Sequence, residues 1–392
     1  MDNYFERAVQ LAPELIEHRR TIHHKPEVGM ALPETTAYVM AQLREMGYAP
    51  RALGGGVVAQ VGKPGRTILL RADMDALPME EESGLPFASC HPGKAHCCGH
   101  DLHTAMLLGA AKLLKEREDA LEGTVKLMFQ PGEETMEGAR SMLAAGVLED
   151  PAVEAAMAIH VNSTVPAGAL IVFHGPTAAS SDKFTIRVSG KGCHGSRPDE
   201  GVDPIAIACH IHTALQEIQA RELAAGVIGV LTLGQFHAGS ADNVIPGEAV
   251  MSGTIRTFDG EVRKRIRSRL VEIAENVARA FRGSAEVTFD ERYAIPMVCD
   301  ETLAAQVRDA LTPIFQPGQV RYLAKSFPGA EDFSFVSEKV PTSFVVLGAS
   351  IGPEVNYGQH HPKVVFAEKC LPVGAAAYAQ AAEAWLKGQR GQ

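Results

Sequence analysis

Between about residues 178 and 291 the chain runs strand, helix, strand, strand, helix, strand, and no other feature narrows its fold as much. SDKFTIRVSG alternates apolar and polar side chains like a half-exposed strand. After a glycine-rich loop, DPIAIACHIHTALQEIQAR reads as a helix opened by Asp203-Pro204. VIGVLTLGQFHAG and GEAVMSGTIRTF follow as consecutive strands. EVRKRIRSRLVEIAENVARAF is a long helical pattern, and SAEVTFDERY closes as a strand. This order is the split βαβ, ferredoxin-like arrangement. A compact unit of that kind brings its ends together, so it inserts into a host domain at little cost.

The flanking sequence reads as that host. Over the first 175 residues helix and strand patterns alternate. Phe5, Val9, Ala12, Leu15, Ile16 and Ile22 recur at roughly helical spacing until Pro26, and a second helix after Glu34 is closed by Gly47. GVVAQVG and RTILLRA are strands on either side of a Lys63-Pro64-Gly65 turn. A helix follows from Thr104, then a buried strand in GTVKLMFQ and another in AVEAAMAIHV. Pro296 marks re-entry, with a helix in DETLAAQVRDALTPIF, a strand in PTSFVVLGA and a C-terminal helix. The expected fold class is α/β: residues 1–177 and 292–392 form a layered domain with a central sheet flanked by helices, interrupted by a βαββαβ domain over 178–291.

A chain of 392 residues is natural for two domains, and 46% hydrophobic with 21% charged residues supports a sizeable core. Lys and Arg number 37 against 47 Asp and Glu, a net charge of −10 with no basic run, which disfavours nucleic acid and anionic membranes as partners. No uninterrupted apolar run reaches the ~18 residues of a membrane span. The charged, amphipathic start MDNYFERAVQLAPELIEHRR does not read as a secretory signal. Seven cysteines, an odd number scattered mostly in apolar surroundings, fit a reduced cytoplasmic compartment better than a disulfide framework.

The chemistry concentrates just beyond the apolar runs. ILLRADMDALP places Asp73 and Asp75 after a strand, and HCCGHDLH offers His96, Cys97, Cys98, His100, Asp101 and His103 before a helix. KLMFQPGEE places Glu133 and Glu134 after a strand and a Pro-Gly turn; MAIHV contributes His160, and YGQHHPK contributes His360 and His361. In open α/β sheets ligands gather outside the carboxyl ends of the strands, which is the reason to group these residues. Each also has an ordinary reading. His160 fits a core histidine, Glu133-Glu134 a solvated turn, and Asp73 and Asp75 turn formers bonded to their own backbone. The Cys/His cluster fits a fragment of a structural zinc site, but its second half is absent.

HHKPEVG (23–29), RADMDALP (71–78), HCCGHDLHTA (96–105), FQPGEE (129–134), GKGCHGSRPDEGVDPI (190–205), NVIP (243–246) and AEDFSF (330–335) occur in this order. Together they resemble the M20 family of metallopeptidases and amidohydrolases, nearest its branch of hippurate, N-acyl-amino-acid and auxin-conjugate hydrolases. The resemblance implies a catalytic domain with a central mixed sheet, an inserted lid and dimerisation domain, and two divalent metal ions per subunit (zinc, manganese, cobalt or nickel). It implies Cys98 as the thiolate shared by both metals. His100 and His160 would complete one metal site; Glu134 and His360, or its neighbour His361, would complete the other. Glu133 becomes the general base. Asp75, and next Asp101, become the carboxylates that orient a ligating imidazole. In the lid, His194 would polarise the scissile carbonyl of a partner subunit's substrate, while Asn243 and Arg256 would bind substrate carbonyl or carboxylate. The ordinary alternatives are a loop residue for His194 and a solvent-facing strand residue for Arg256. The sequence departs from the family pattern at Asp73, where many relatives carry a ligating histidine, and at Cys193, where glycine is usual. Asp73, Cys97 and Cys193 are left without a role.

The expected function is hydrolysis of the amide bond of small N-acyl amino acids (N-acetyl, N-benzoyl or similar) by a homodimer, or a tetramer built from it. The alternatives are a dipeptidase or carboxypeptidase on the same scaffold, a thiol hydrolase using Cys98 and His100, and a non-catalytic metal-binding protein.

Overall fold

The computed structural model describes residues 3–352 and 357–388. The chain forms two compact units. One comprises Met1–Thr177, Val298–Lys325 and Asp332–Gln392, the other Ala178–Met297 and Ser326–Glu331.

The first unit is built on an eight-stranded mixed sheet, and its mixed α/β class is the expected one. Its strands are β1 (Arg51–Leu53), β2 (Gly56–Gly62), β3 (Arg66–Asp73), β4 (Gly123–Gln130), β5 (Ala155–Pro166) and β6 (Leu170–Phe173), joined by Val320–Leu323 and Thr342–Ser350. Their order is β1-β2-β4-β3-β5, then Thr342–Ser350, β6 and Val320–Leu323. β4, β3, β5 and Thr342–Ser350 run parallel to one another, with antiparallel strands on either side. β4 is buried at every residue and β3 at all but its first. That is the continuous apolar run expected of parallel strands covered on both faces. β6 and Val320–Leu323 carry no clear pattern in the sequence. They are four-residue strands towards the far edge of the sheet, too short to show a period, β6 mostly buried and Val320–Leu323 half-exposed.

The first apolar periodicity is divided by the structure at Leu11. α1 (Tyr4–Gln10) ends there, and α2 (Ala12–His24) carries Pro13 in its first turn, where a missing N–H costs no helical bond. α3 (Pro33–Glu45) follows, and α4 (His100–Lys115) is the central helix, buried along almost its whole length. α4 packs against α2, the C-terminal helix Leu371–Lys387 and β3. Gly109 makes this approach possible: a Cβ there would lie 2.4 Å from Leu15 Cδ2 and 3.0 Å from Ala375 Cβ.

In the second unit a four-stranded antiparallel sheet has the order Ser284–Phe289, Asp182–Ser189, Glu248–Thr257, Gly229–Ala238. Helices Pro204–Glu217 and Gly260–Ala280 pack on each other and on the sheet. Phe184, Ile186, Ile207, Ile211, Ile266 and Leu270 form the core between them. Asp203 caps the first helix through Ile205 N, and Asp259 caps the second through Glu261 N and Val262 N.

Candidate metal centre

The site of the first unit begins where two strands part. β3 pairs with β4 as far as Asp73–Gln130 but with β5 only as far as Arg71–Ala158. Beyond that point a crevice opens at the carboxyl ends, the place where ligands collect in parallel sheets. Asp73 and Asp75 leave β3 on one side of it, and His160 lies on β5 on the other. Glu133 and Glu134 follow the Pro131-Gly132 turn after β4. Cys98, Gly99 and His100 lead into α4. Gly99 has φ +102°, and a Cβ there would come 2.4 Å from Val161 Cγ2, so only glycine lets the cysteine and the histidine meet the end of β5.

Two donor triads share Cys98. The ligand atoms of Cys98, His100 and His160 lie within 4.8 Å of one another, and so do those of Cys98, Glu134 and His360. Cys98 Sγ is 3.6 Å from His160 Nε2, and His360 Nε2 is 3.3 Å from Glu134 Oε1. The imidazoles are held by their far nitrogens. His100 Nδ1 donates to Asp75 O at 2.8 Å, and His160 Nδ1 donates to Val161 O at 2.7 Å. His100 Nε2 is left buried without a hydrogen bond, aimed at the crevice. A buried polar atom without a partner is costly, and a cation is one way to satisfy it.

The charges agree. Burial pushes the Cys98 thiol up, but His100 and His160 outweigh it and bring it to about 6. Burial pushes His160 down, and the Cys98 thiolate lifts it to about 9. Hydrogen bonds to Cys98 and Glu134 raise His360 to about 10. The donors therefore already hold the thiolate form that a metal requires, with protons on the imidazoles that a cation would displace. A thiolate, three imidazoles and a carboxylate suit divalent cations that accept sulfur, nitrogen and oxygen together. The residues present fit two such ions.

Asp75 acts on both sides of the centre. Its carboxylate accepts Glu133 N at 3.0 Å and Glu134 N at 3.1 Å, while its carbonyl orients His100. The orientation expected from its carboxylate thus comes from its backbone. Asp101 does not orient a ligating histidine. One residue past His100 on a helix it points elsewhere, and it bonds Arg19 Nε at 3.0 Å and His23 Nδ1 at 2.9 Å. His96 and Cys97 lie in the loop but are buried in it, 2% exposed each. Burial raises the Cys97 thiol to about 12, the opposite of its neighbour. His361 stands away from the triads. Its ring stacks on Tyr357 at 4.1 Å and its Nδ1 accepts Lys363 N.

In the second unit, His194 lies on a two-residue strand, Cys193–His194, paired with Val244–Ile245. Gly195 N donates to Asn243 O at 2.7 Å, so His194 and Asn243 share one ribbon. Ser196 N and Oγ hold His194 Nδ1. Arg256 is half-buried on Glu248–Thr257, opposite Val230 in the adjacent strand.

Sequence reasoning missed Arg71, Asp332, Gln130 and Tyr378. Arg71 is 2% exposed and bonds Asp73 Oδ2 at 2.7 Å, Asp332 Oδ1 at 3.0 Å and Gln130 Oε1 at 2.9 Å. The available signal was a charge inside an apolar strand run, ILLRAD.

A family model described as peptidase family M20/M25/M40 matches residues 69–384. The chain is 39% identical over 366 residues to an N-acetyl-L-cysteine deacetylase of Bacillus subtilis, covering 92% of this chain and 85% of that protein. It is 37% identical over 378 residues to thermostable carboxypeptidase 2 of Saccharolobus solfataricus, covering 93% of each. A solved Bacillus subtilis structure, described as a dinuclear metal binding peptidase from the M20 family, is 34% identical with a TM-score of 0.83, covering 96% of this chain and 99% of that one.

Proposed function

This chain belongs to peptidase family M20/M25/M40, and from that premise we propose that it hydrolyses the amide bond of N-acyl amino acids at the centre built around Cys98. One divalent cation would be held by Cys98, His100 and His160, the other by Cys98, Glu134 and His360. Zinc, manganese, cobalt and nickel all suit the donor set. Bound there, the pair supplies Lewis acidity that polarises the amide carbonyl and acidifies water from about 16 towards 7.

The rest is done by side chains. Glu133, 5% exposed, is the general base. Asp75 holds its backbone and that of Glu134 together, so two adjacent carboxylates take separate tasks. Glu133 takes a proton from the attacking water and returns it to the departing amine, one group serving as base and then acid. His194 would polarise the scissile carbonyl of a partner subunit's substrate, while Asn243 and Arg256 would bind substrate carbonyl or carboxylate, for which a guanidinium offers two parallel N–H donors. The second unit serves as lid and as the dimerisation surface, in a cytoplasmic homodimer or a tetramer of two such pairs. Among the described residues no helix is long and apolar enough to cross a membrane.

The observation that carries this reading is the cysteine shared by two donor triads, with His100 Nε2 of the first buried without a hydrogen bond. The test is removal of metal by chelation, then restoration while N-acetyl and N-benzoyl amino acids are assayed. Turnover that survives complete metal removal sinks the reading in favour of thiol chemistry at Cys98. Absence of any turnover after restoration favours a non-catalytic metal protein. A second reading, peptidase action on dipeptides or C-terminal residues, is supported by the likeness to the carboxypeptidase. The ratio of kcat/KM for N-acyl amino acids and dipeptides separates the two.

A further inference from the structure

Where β3 and β5 separate, β5 has lost its neighbour on that side, and alternate N–H groups along that edge need other acceptors. Two side chains supply them. Tyr378 Oη accepts Ile159 N at 2.8 Å while donating to Arg71 O at 2.6 Å. His103 Nε2 accepts Val161 N at 2.8 Å. Because that nitrogen accepts a backbone N–H, the proton of the neutral ring sits on Nδ1 and is donated to Asp73 Oδ1 at 2.5 Å.

Val161 is tied from its other end as well. Its carbonyl accepts His160 Nδ1 at 2.7 Å and Gln359 Nε2 at 2.8 Å. The His103 and His160 rings meet edge to face with centroids 4.5 Å apart. Asp73 is itself fixed by Arg71, which Asp332 and Gln130 hold in turn. Asp73, Arg71, His103 and Asp332 are all 2% exposed or less. Asp73, His100 and His103 come close enough together to be mistaken for a third metal site. Both His103 nitrogens are already engaged, which excludes it as a ligand.

We propose that Asp73 and His103 are a positioning pair, which fixes the Val161 backbone and through it aims His160 at Cys98. This gives Asp73, left without a role by the sequence, a task in this chain. The proposal rests on the dinuclear reading above, and one experiment separates the two. Zinc binding is titrated in competition with a chromophoric chelator for the wild-type protein, His103→Leu and His103→Gln. Wild type taking up fewer than two equivalents overturns the dinuclear reading itself. With two equivalents bound, His103→Leu is expected to weaken one of them by about 10- to 100-fold, the usual effect of removing an outer partner. His103→Gln, which keeps a donor and an acceptor, should restore much of that loss. Folded His103→Leu with both equivalents at wild-type affinity overturns the pair's role. Nitrogen-15 NMR of histidine-labelled wild type decides independently of how that variant folds. The resonance lost in His103→Gln should be a neutral Nδ1–H ring, and an Nε2–H ring or an imidazolium there overturns the proposal.

Discussion

The two triads that share Cys98 are built from different materials. Cys98, His100 and His160 stand at a helix start and on a parallel strand, with His100 fully buried. Cys98, Glu134 and His360 stand on turns, and the His360 side chain is 54% exposed. His360 also has φ +66°, a left-handed conformation that a non-glycine residue holds only when its surroundings impose it. His360 N is in fact pinned to Cys97 O at 2.9 Å. The difference teaches that one half of the centre is part of the core and the other is a clasp at its rim. The first should be bound to the fold's stability, the second to exchange with solvent.

The severest test removes what the halves share. Cys98→Ala should lose both metal equivalents and reduce turnover to background, read by metal analysis and assay; retention of two tightly bound ions would dissolve the comparison. Next comes a change that spares both halves. Glu133→Gln should keep two metals and lose on the order of 10²- to 10⁴-fold in kcat, the span of general-base effects. Near-normal turnover in that variant removes Glu133 from its role.

Paired variants separate the two halves. His160→Ala should lower thermal stability as well as metal content, since it empties a half-buried place on a core strand and removes a bond to Val161 O. His360→Ala should weaken one equivalent yet leave the melting temperature of the metal-free protein nearly unchanged. Equal thermal effects would show that the rim is as structural as the core. Protons offer a gentler probe. Each imidazole must lose its proton to bind metal, so affinity rises with pH until the group's own pKa is passed. With His160 near 9 and His360 near 10, zinc binding at pH 7 should release protons from both. Calorimetry in buffers of differing ionisation enthalpy measures that release. The smallest effect is expected at Tyr378→Phe, which strips a partner from two buried backbone groups and should cost about 1–3 kcal/mol. Chemical denaturation checks it, and the loss should fall on the core half alone.

Part of this was legible in the residues themselves. HCCGHD offers metal-type donors ahead of an apolar helix, and the resemblance of its motif to the family's is what singled out Cys98 and His100 and their partners at strand ends. Asp101 misled, because adjacency to His100 in sequence says nothing about direction on a helix. His103 is legible only as one of the candidate donors in HCCGHDLH, yet the N–H it accepts, that of Val161, lies 58 positions away. Nothing local marks a backbone N–H as needing an imidazole. Tyr378, 219 residues from Ile159, is invisible for the same reason.

By itself, then, the sequence determined most of the order of elements, the nesting of one pattern inside another, and the donor types that tertiary contact could assemble. These are local properties: periodicity, turn chemistry and residue type act over a few positions. Only the tertiary structure decided which donors converge, which imidazole nitrogen faces the crevice, and why Asp73 is needed. Those depend on where β3 and β5 stop pairing, and that point is set by long-range packing of α4 and the C-terminal helix against the sheet.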